Sequence, residues 1–179
     1  MAFKDVPWKA VAAGGVTLGV LGIITLASRK GKAPQSQRVA LIGDSYAQGL
    51  GPELAKLLPD FRAEGRVGIS TAGWMACGSC GDWLPAFKPA VTLVSLGVND
   101  GSSPNSADYQ SIVKALHGIG SNVVWIQPPA AVNAPAARSI IAALGVPVVP
   151  ATRTPLGADH LHPVSYAPWA SEVAQAVTT

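Results

Sequence analysis

Four apolar residues, Val39 to Ile42, run into Gly43-Asp44-Ser45, and the chain leaves through Tyr46-Ala47-Gln48-Gly49-Leu50. Beyond this corner Leu50, Leu54, Leu57 and Leu58 recur at helical spacing. A strand turning that sharply into a helix specifies a βα unit. Its corner residue lies at the carboxyl end of the strand, where open α/β sheets keep their sites. The corner also lies over the helix N-terminus, whose unpaired N–H groups and dipole favour negative charge. A serine there is suited to attack through an oxygen that becomes negative. Asp-Ser is also a common helix-capping pair, so the corner alone leaves both readings open.

The alternation continues to the C-terminus. Apolar runs predict strands over 39–43, 61–67, 90–96, 122–127 and 146–150. Helical periodicity predicts helices over 46–58, 106–119, 134–144 and 164–177, with a short one near 82–87. Strands separated by helices imply a parallel sheet covered on both faces, and several of these strands are apolar almost throughout, as such a sheet requires. The expected fold is a three-layer α/β/α sandwich around five parallel strands in the flavodoxin-like order 2-1-3-4-5.

Composition matters mainly for the N-terminus. Of 179 residues 49% are hydrophobic and only 13% charged, an odd balance for a soluble domain. The excess sits in one stretch, residues 10–27, an uncharged run of eighteen flanked by Lys4 and Lys9 before it and Arg29, Lys30 and Lys32 after it. At a helical rise this run spans about 27 Å, close to the hydrocarbon thickness of a bilayer. Residues 1–30 therefore read as an uncleaved membrane anchor, with a cleaved signal peptide as the alternative, residues 31–37 as a linker and residues 38–179 as the folded domain. Gly15 and Gly19 make a G-x-x-x-G pair that permits close helix–helix approach and a homo-oligomer. Up to Arg38 there are six basic residues against Asp5; beyond it seven basic residues face nine acidic ones. The positive charge belongs to the tail, and the domain has no basic footprint for nucleic acid.

Cys77 and Cys80 lie in Cys-Gly-Ser-Cys. One pair does not complete a four-ligand zinc site, and every histidine is distant in sequence. No metal and no cofactor is expected. The pair reads as a short-range disulfide or as two free thiols, an oxidised pair fitting an extracytoplasmic location. Thiol redox or metal chemistry is the alternative.

Two later stretches supply chemistry. The third strand ends in Gly97-Val98-Asn99-Asp100-Gly101, which brings Asn99 to the same rim as Ser45; its amide is suited to stabilise an oxyanion, while Asn-Asp-Gly is also an ordinary turn. After the fifth strand comes Asp159-His160-Leu161-His162-Pro163. Asp159 and His162 are three apart, near enough on one helical turn for the carboxylate to orient the imidazole. A base held by a buried acid, within reach of a serine, activates a hydroxyl nucleophile. His160 reads as a loop residue pointing elsewhere, and His117 as solvated near a helix end.

Together these stretches resemble the SGNH (GDSL-type) hydrolase family over everything from Arg38 onward. Gly43-Asp44-Ser45 with Gly49 matches its first block, Gly97-x-Asn99-Asp100 its third, and Asp159-x-x-His162-Pro163 its last, followed by Tyr166 and Trp169. The resemblance implies Ser45 as nucleophile, His162 as general base and acid, and Asp159 as its orienter. The implied oxyanion hole comprises the N–H groups of Ser45 and a glycine after the second strand, with the Asn99 side chain. Gly68 and Gly73 are the candidates, and Gly68, nearer the strand, is preferred. Asp44 is expected to brace the corner.

The expected activity is hydrolysis of short acyl esters, acetyl-type, on a carbohydrate or cell-envelope polymer. Connecting loops are short apart from 69–83 and leave little material for a lid. Trp74 and Trp83 in that segment could stack on sugar rings or simply anchor the loop. The rival is a membrane-anchored structural or interaction protein that keeps the fold without turnover.

Overall fold

The computed structural model describes residues 37–178. Five strands, β1 (Val39–Gly43), β2 (Phe61–Gly65), β3 (Val91–Ser95), β4 (Asn122–Ile126) and β5 (Val148–Val149), pair in parallel in the order β2-β1-β3-β4-β5. That is the expected order. Six helices connect or follow them: α1 (Ser45–Leu54), α2 (Thr71–Ala76), α3 (Leu84–Phe87), α4 (Ser106–Gly118), α5 (Pro135–Ala142) and α6 (Ala167–Thr178).

Side chains alternate across the pleat, and β1 shows the consequence. Val39 and Leu41 face a core completed by Leu50 and Leu54 of α1 and by Trp169, Ala170 and Val173 of α6. Ala40 and Ile42 face the opposite core, with Trp74 of α2, Leu84 of α3, Tyr109 and Ile112 of α4 and Ile141 of α5. The central strands β1 and β3 are buried at every position, whereas the edge strand β2 is not.

Three local expectations need correction. The 69–83 segment is not loop throughout, because α2 occupies its first half, capped by the Ser70 hydroxyl accepting from the Gly73 N–H. β5 spans two residues rather than five; Pro147 and Pro150 flank it and lack the N–H a ladder uses. α1 ends at Leu54, before Leu57 and Leu58, having passed over Pro52 in its last turn.

The apolar run at 10–27 and its Gly15/Gly19 pair lie outside the described residues. Among those described, no helix is long and apolar enough to cross a membrane.

Candidate active site

At the β1–α1 corner the chain has no room for larger residues. A Cβ on Gly43 would lie 2.2 Å from the Ser95 carbonyl oxygen, so only glycine lets β1 lie this close to β3 there. The Asp44 N–H then donates to the same carbonyl at 3.0 Å. Asp44 is the N-cap of α1, its Oδ1 accepting from the Tyr46 N–H at 2.9 Å. The cap and the candidate nucleophile are thus adjacent residues with separate tasks: Asp44 braces the corner, as expected, and Ser45 opens α1, half-buried.

The Ser45 Oγ lies 2.9 Å from Nε2 of His162, and Nδ1 of the same ring lies 2.6 Å from Oδ2 of Asp159. Three residues from the two ends of the domain form one hydrogen-bonded line. The Asp–His pair does not lie on a helical turn. It belongs to a loop closed by a Gly157 N–H bond to the His162 carbonyl (2.7 Å) and an antiparallel bridge between Leu156 and Pro163. Inside it Asp159 Oδ1 accepts from the N–H groups of Leu161 (3.0 Å) and His162 (2.9 Å), an aspartate turn. Nor is the acid buried: the Asp159 side chain is 52% exposed. The Leu161 N–H, the His162 ring and the His162 N–H hold its carboxyl far below the usual carboxylate range. Its charge is secured by donors and needs no burial.

His162 is seated from behind by aromatic rings. Tyr46 meets it edge-on at 5.6 Å and meets Trp169 likewise at 5.5 Å, and Tyr166 stacks on Trp169. The Tyr46 hydroxyl donates to the Leu161 carbonyl at 3.0 Å, tying the histidine loop to α1. Burial first, then the Asp44 charge, pushes that phenol well above its ordinary range, so it stays a donor. Gly49 faces Tyr166 so closely that a Cβ would lie 2.2 Å from its ring. Sequence spacing did not reveal Tyr46 as a link; its position next to Ser45 was the available signal.

The expected oxyanion donors lie on the neighbouring turns. Gly68 occupies an exposed turn at φ +73°, with open space where a Cβ would be. Gly73 lies inside α2 with its N–H committed to Ser70, which leaves Gly68 as the stronger candidate. Asn99 is exposed and donates from Nδ2 to the Ile69 carbonyl at 3.1 Å, so the two candidate elements touch. Asp100 next to it accepts from Thr71.

The tryptophans anchor. Trp74 is 2% exposed in the core, which removes it from any sugar-binding wall. The Trp83 indole N–H donates to Glu64 at 2.7 Å, and Arg62 lies 4.5 Å over its ring. Burial opposes ionisation of Glu64, but donors from Gly81, Trp83 and Arg66 outweigh it and lower its pKa. Cys77 and Cys80 are disulfide-bonded. His160 is exposed at φ +53°, and His117 is exposed in the last turn of α4. Among the described residues no cluster of His, Cys, Asp and Glu is arranged to hold a metal ion.

The parallel five-stranded sandwich has the same fold as three solved structures, each under 20% identical to this chain. No protein-family model and no curated protein matches the chain; the likeness is to solved structures. One is the C-terminal catalytic domain of Streptococcus pneumoniae peptidoglycan O-acetyltransferase A, in a methylsulfonyl adduct. It is 18% identical with TM-score 0.55, over 80% of this chain and 91% of that one. Another, from Desulfitobacterium hafniense and described as a lipolytic protein of the G-D-S-L family, is 13% identical with TM-score 0.60, over 78% of this chain and 99% of its own. A GDSL-like lipase from Bacteroides uniformis is 12% identical with TM-score 0.57, over 80% and 97%.

Proposed function

We propose that this protein is a serine esterase that hydrolyses short acyl esters through an acyl-enzyme. The observation that carries the reading is the continuous line Ser45 Oγ–His162 Nε2–Asp159 Oδ2, at 2.9 Å and 2.6 Å. In the first step His162 Nε2 takes the hydroxyl proton as Ser45 Oγ bonds to the ester carbonyl carbon. Asp159 fixes the tautomer by accepting from Nδ1–H and stabilises the imidazolium. The oxyanion is held by the N–H groups of Ser45 and Gly68 and by Asn99 Nδ2, and the α1 N-terminus favours the same charge. Collapse breaks the bond to the alcohol, which leaves with the proton from His162. Water then repeats the sequence on the acyl-enzyme and frees the acid.

The substrate is a small acyl group on an exposed, bulky alcohol. Ser45 is half-buried, while Asp159, Gly68 and Asn99 around it are exposed, so the site is open rather than roofed. The Streptococcus neighbour, by its name, acts on peptidoglycan acetylation, in keeping with acetyl esters of an envelope polysaccharide; a sugar hydroxyl could replace water as acceptor in such a site. We further propose that residues 10–27 anchor the domain in a membrane with the catalytic part on the extracytoplasmic side, in keeping with the Cys77–Cys80 disulfide.

The test is labelling of the full-length protein with a fluorophosphonate and turnover of p-nitrophenyl esters of increasing chain length. Labelling and acetate hydrolysis are expected in the wild type and absent in Ser45→Ala. Folded wild-type protein that neither labels nor turns over would favour the non-catalytic alternative. Activity that survives Ser45→Ala and is lost in Cys77→Ser would move the chemistry to the thiols.

A further inference from the structure

Two hydrogen bonds made by Asp100 have no part in the reaction described above. One carboxylate oxygen accepts from the Thr71 N–H at 2.8 Å, and the other from the Thr71 hydroxyl at 2.5 Å. Thr71 is 2% exposed and is the first residue of α2, so its N–H is one the helix itself leaves unpaired. The neighbouring residue makes the parallel contact, Asn99 Nδ2 donating to the Ile69 carbonyl at 3.1 Å. Asn99 and Asp100, after β3, thus grip Ile69 and Thr71, after β2, across a gap that no backbone hydrogen bond closes in the sheet. Gly68, immediately before the gripped segment, lies in an exposed turn with no contact within 4 Å of where a Cβ would be. The turn itself is closed by the Ile69 N–H donating to the Arg66 carbonyl at 3.2 Å and is tied to β1 by the Arg66 N–H donating to the Gly43 carbonyl at 2.9 Å, so its placement relative to Asn99 rests on the grip at Ile69 and Thr71.

We propose that Asp100 and Thr71 are positioning residues for the oxyanion hole, holding the Gly68 N–H and the Asn99 amide at a fixed mutual distance. The proposal rests on the esterase reading. One Asn99 N–H is spent on Ile69, which orients the amide plane and leaves the second for the substrate oxygen. The Asp100–Thr71 pair fixes the register of the two turns, so neither donor has to be drawn in as charge develops. A polar pair placed only to stabilise α2 would not act through Asn99.

The experiment is steady-state hydrolysis of p-nitrophenyl acetate by full-length protein carrying Thr71→Val, Thr71→Ser, Asp100→Ala and Asp100→Asn, with Asn99→Ala and the Asn99→Ala/Asp100→Ala double variant. Ser45→Ala serves as the control. Thr71→Val and Asp100→Ala are expected to lower kcat roughly tenfold to a hundredfold, the scale of a misplaced donor, with KM within about twofold. Thr71→Ser restores kcat. Asp100→Asn, which keeps an acceptor for the Thr71 N–H, retains most of it and keeps the comparison available if the alanine variant does not fold. In the Asn99→Ala background, Asp100→Ala is expected to cost less than about threefold, because part of what it positions is gone. Wild-type kcat in folded Thr71→Val, a change confined to KM, or full additivity with Asn99→Ala would overturn the positioning role while leaving Ser45 in place. Hydrolysis that persists in Ser45→Ala would instead remove the esterase reading, and this inference with it.

Discussion

Asp44 gives the sharpest quantitative test of the corner. It is wholly buried, one oxygen accepts from the Tyr46 N–H, and the other, Oδ2, is a buried oxygen without a hydrogen-bond partner. Burial is the largest influence on it, opposed by the Tyr46 N–H and reinforced by the charge of Asp100. Together they raise its pKa from 3.8 to about 7. Between these values the folded protein holds a proton that the unfolded chain has released, so stability falls as pH rises, and it levels off above the folded pKa. At about 1.4 kcal/mol per pH unit, roughly three units amount to about 4 kcal/mol. Asp44→Asn keeps the acceptor for Tyr46 and cannot ionise, so its stability lacks this slope. The assay is urea unfolding of both proteins from about pH 4.5 to 8.5, read as the wild-type-minus-variant difference; contributions such as that of Asp159, which rise with pH in the acid range, cancel in it. About 1 kcal/mol of this is already lost at pH 4.5, so the variant's advantage should grow by about 3 kcal/mol across the range, or about 10 °C in Tm for a domain of this size. Parallel pH profiles would refute the reasoning, since they would mean Asp44 ionises in the fold as easily as out of it.

Two further outcomes follow from the packing behind His162. Tyr46→Phe removes the hydroxyl that reaches the Leu161 carbonyl but keeps the ring against His162; it should cost about 1 kcal/mol of stability and lower kcat about tenfold with little change in KM. Gly49→Ala drives a methyl into the Tyr166 ring and should destabilise by about 2 kcal/mol or more, measurable by thermal melting, and should cost less when made in a Tyr166→Ala background, where the clash is relieved.

The features legible in the sequence are those written in local pattern. The apolar runs of β1 and β3 and the leucines of α1 have strong periodicity, and from the alternation of elements the sheet order followed. α2 was missed for a physical reason: it is six residues long, contains Gly73, and buries only Thr71 and Trp74. Three-residue spacing between two buried positions is too little to distinguish a helical turn from a loop. The partner of its first N–H is Asp100, 29 residues away, which no local reading contains. The fate of Trp74 and Trp83 was open for the same cause, since whether an aromatic side chain anchors or binds is decided by partners such as Glu64 and Arg62 on β2.

The Asp159–His162 pair was found by its spacing, but for a different geometry from the one that spacing suggested. An i,i+3 pair on a helix would have needed a helix to carry it. Here the carboxylate builds its own support by capping the N–H groups of Leu161 and His162 with one oxygen while the other meets the imidazole. The unit is closed within residues 156–163 by backbone bonds, so the carboxylate and the imidazole are held together within one loop. What remains to be set from outside is the distance from this unit to Ser45. The Tyr46 hydroxyl on Leu161 spans that joint, from the residue next to the serine to the residue next to the histidine. Such a division lets the acid stay exposed: its charge is held by neighbours in its own turn, and only the docking of a prebuilt loop depends on the core.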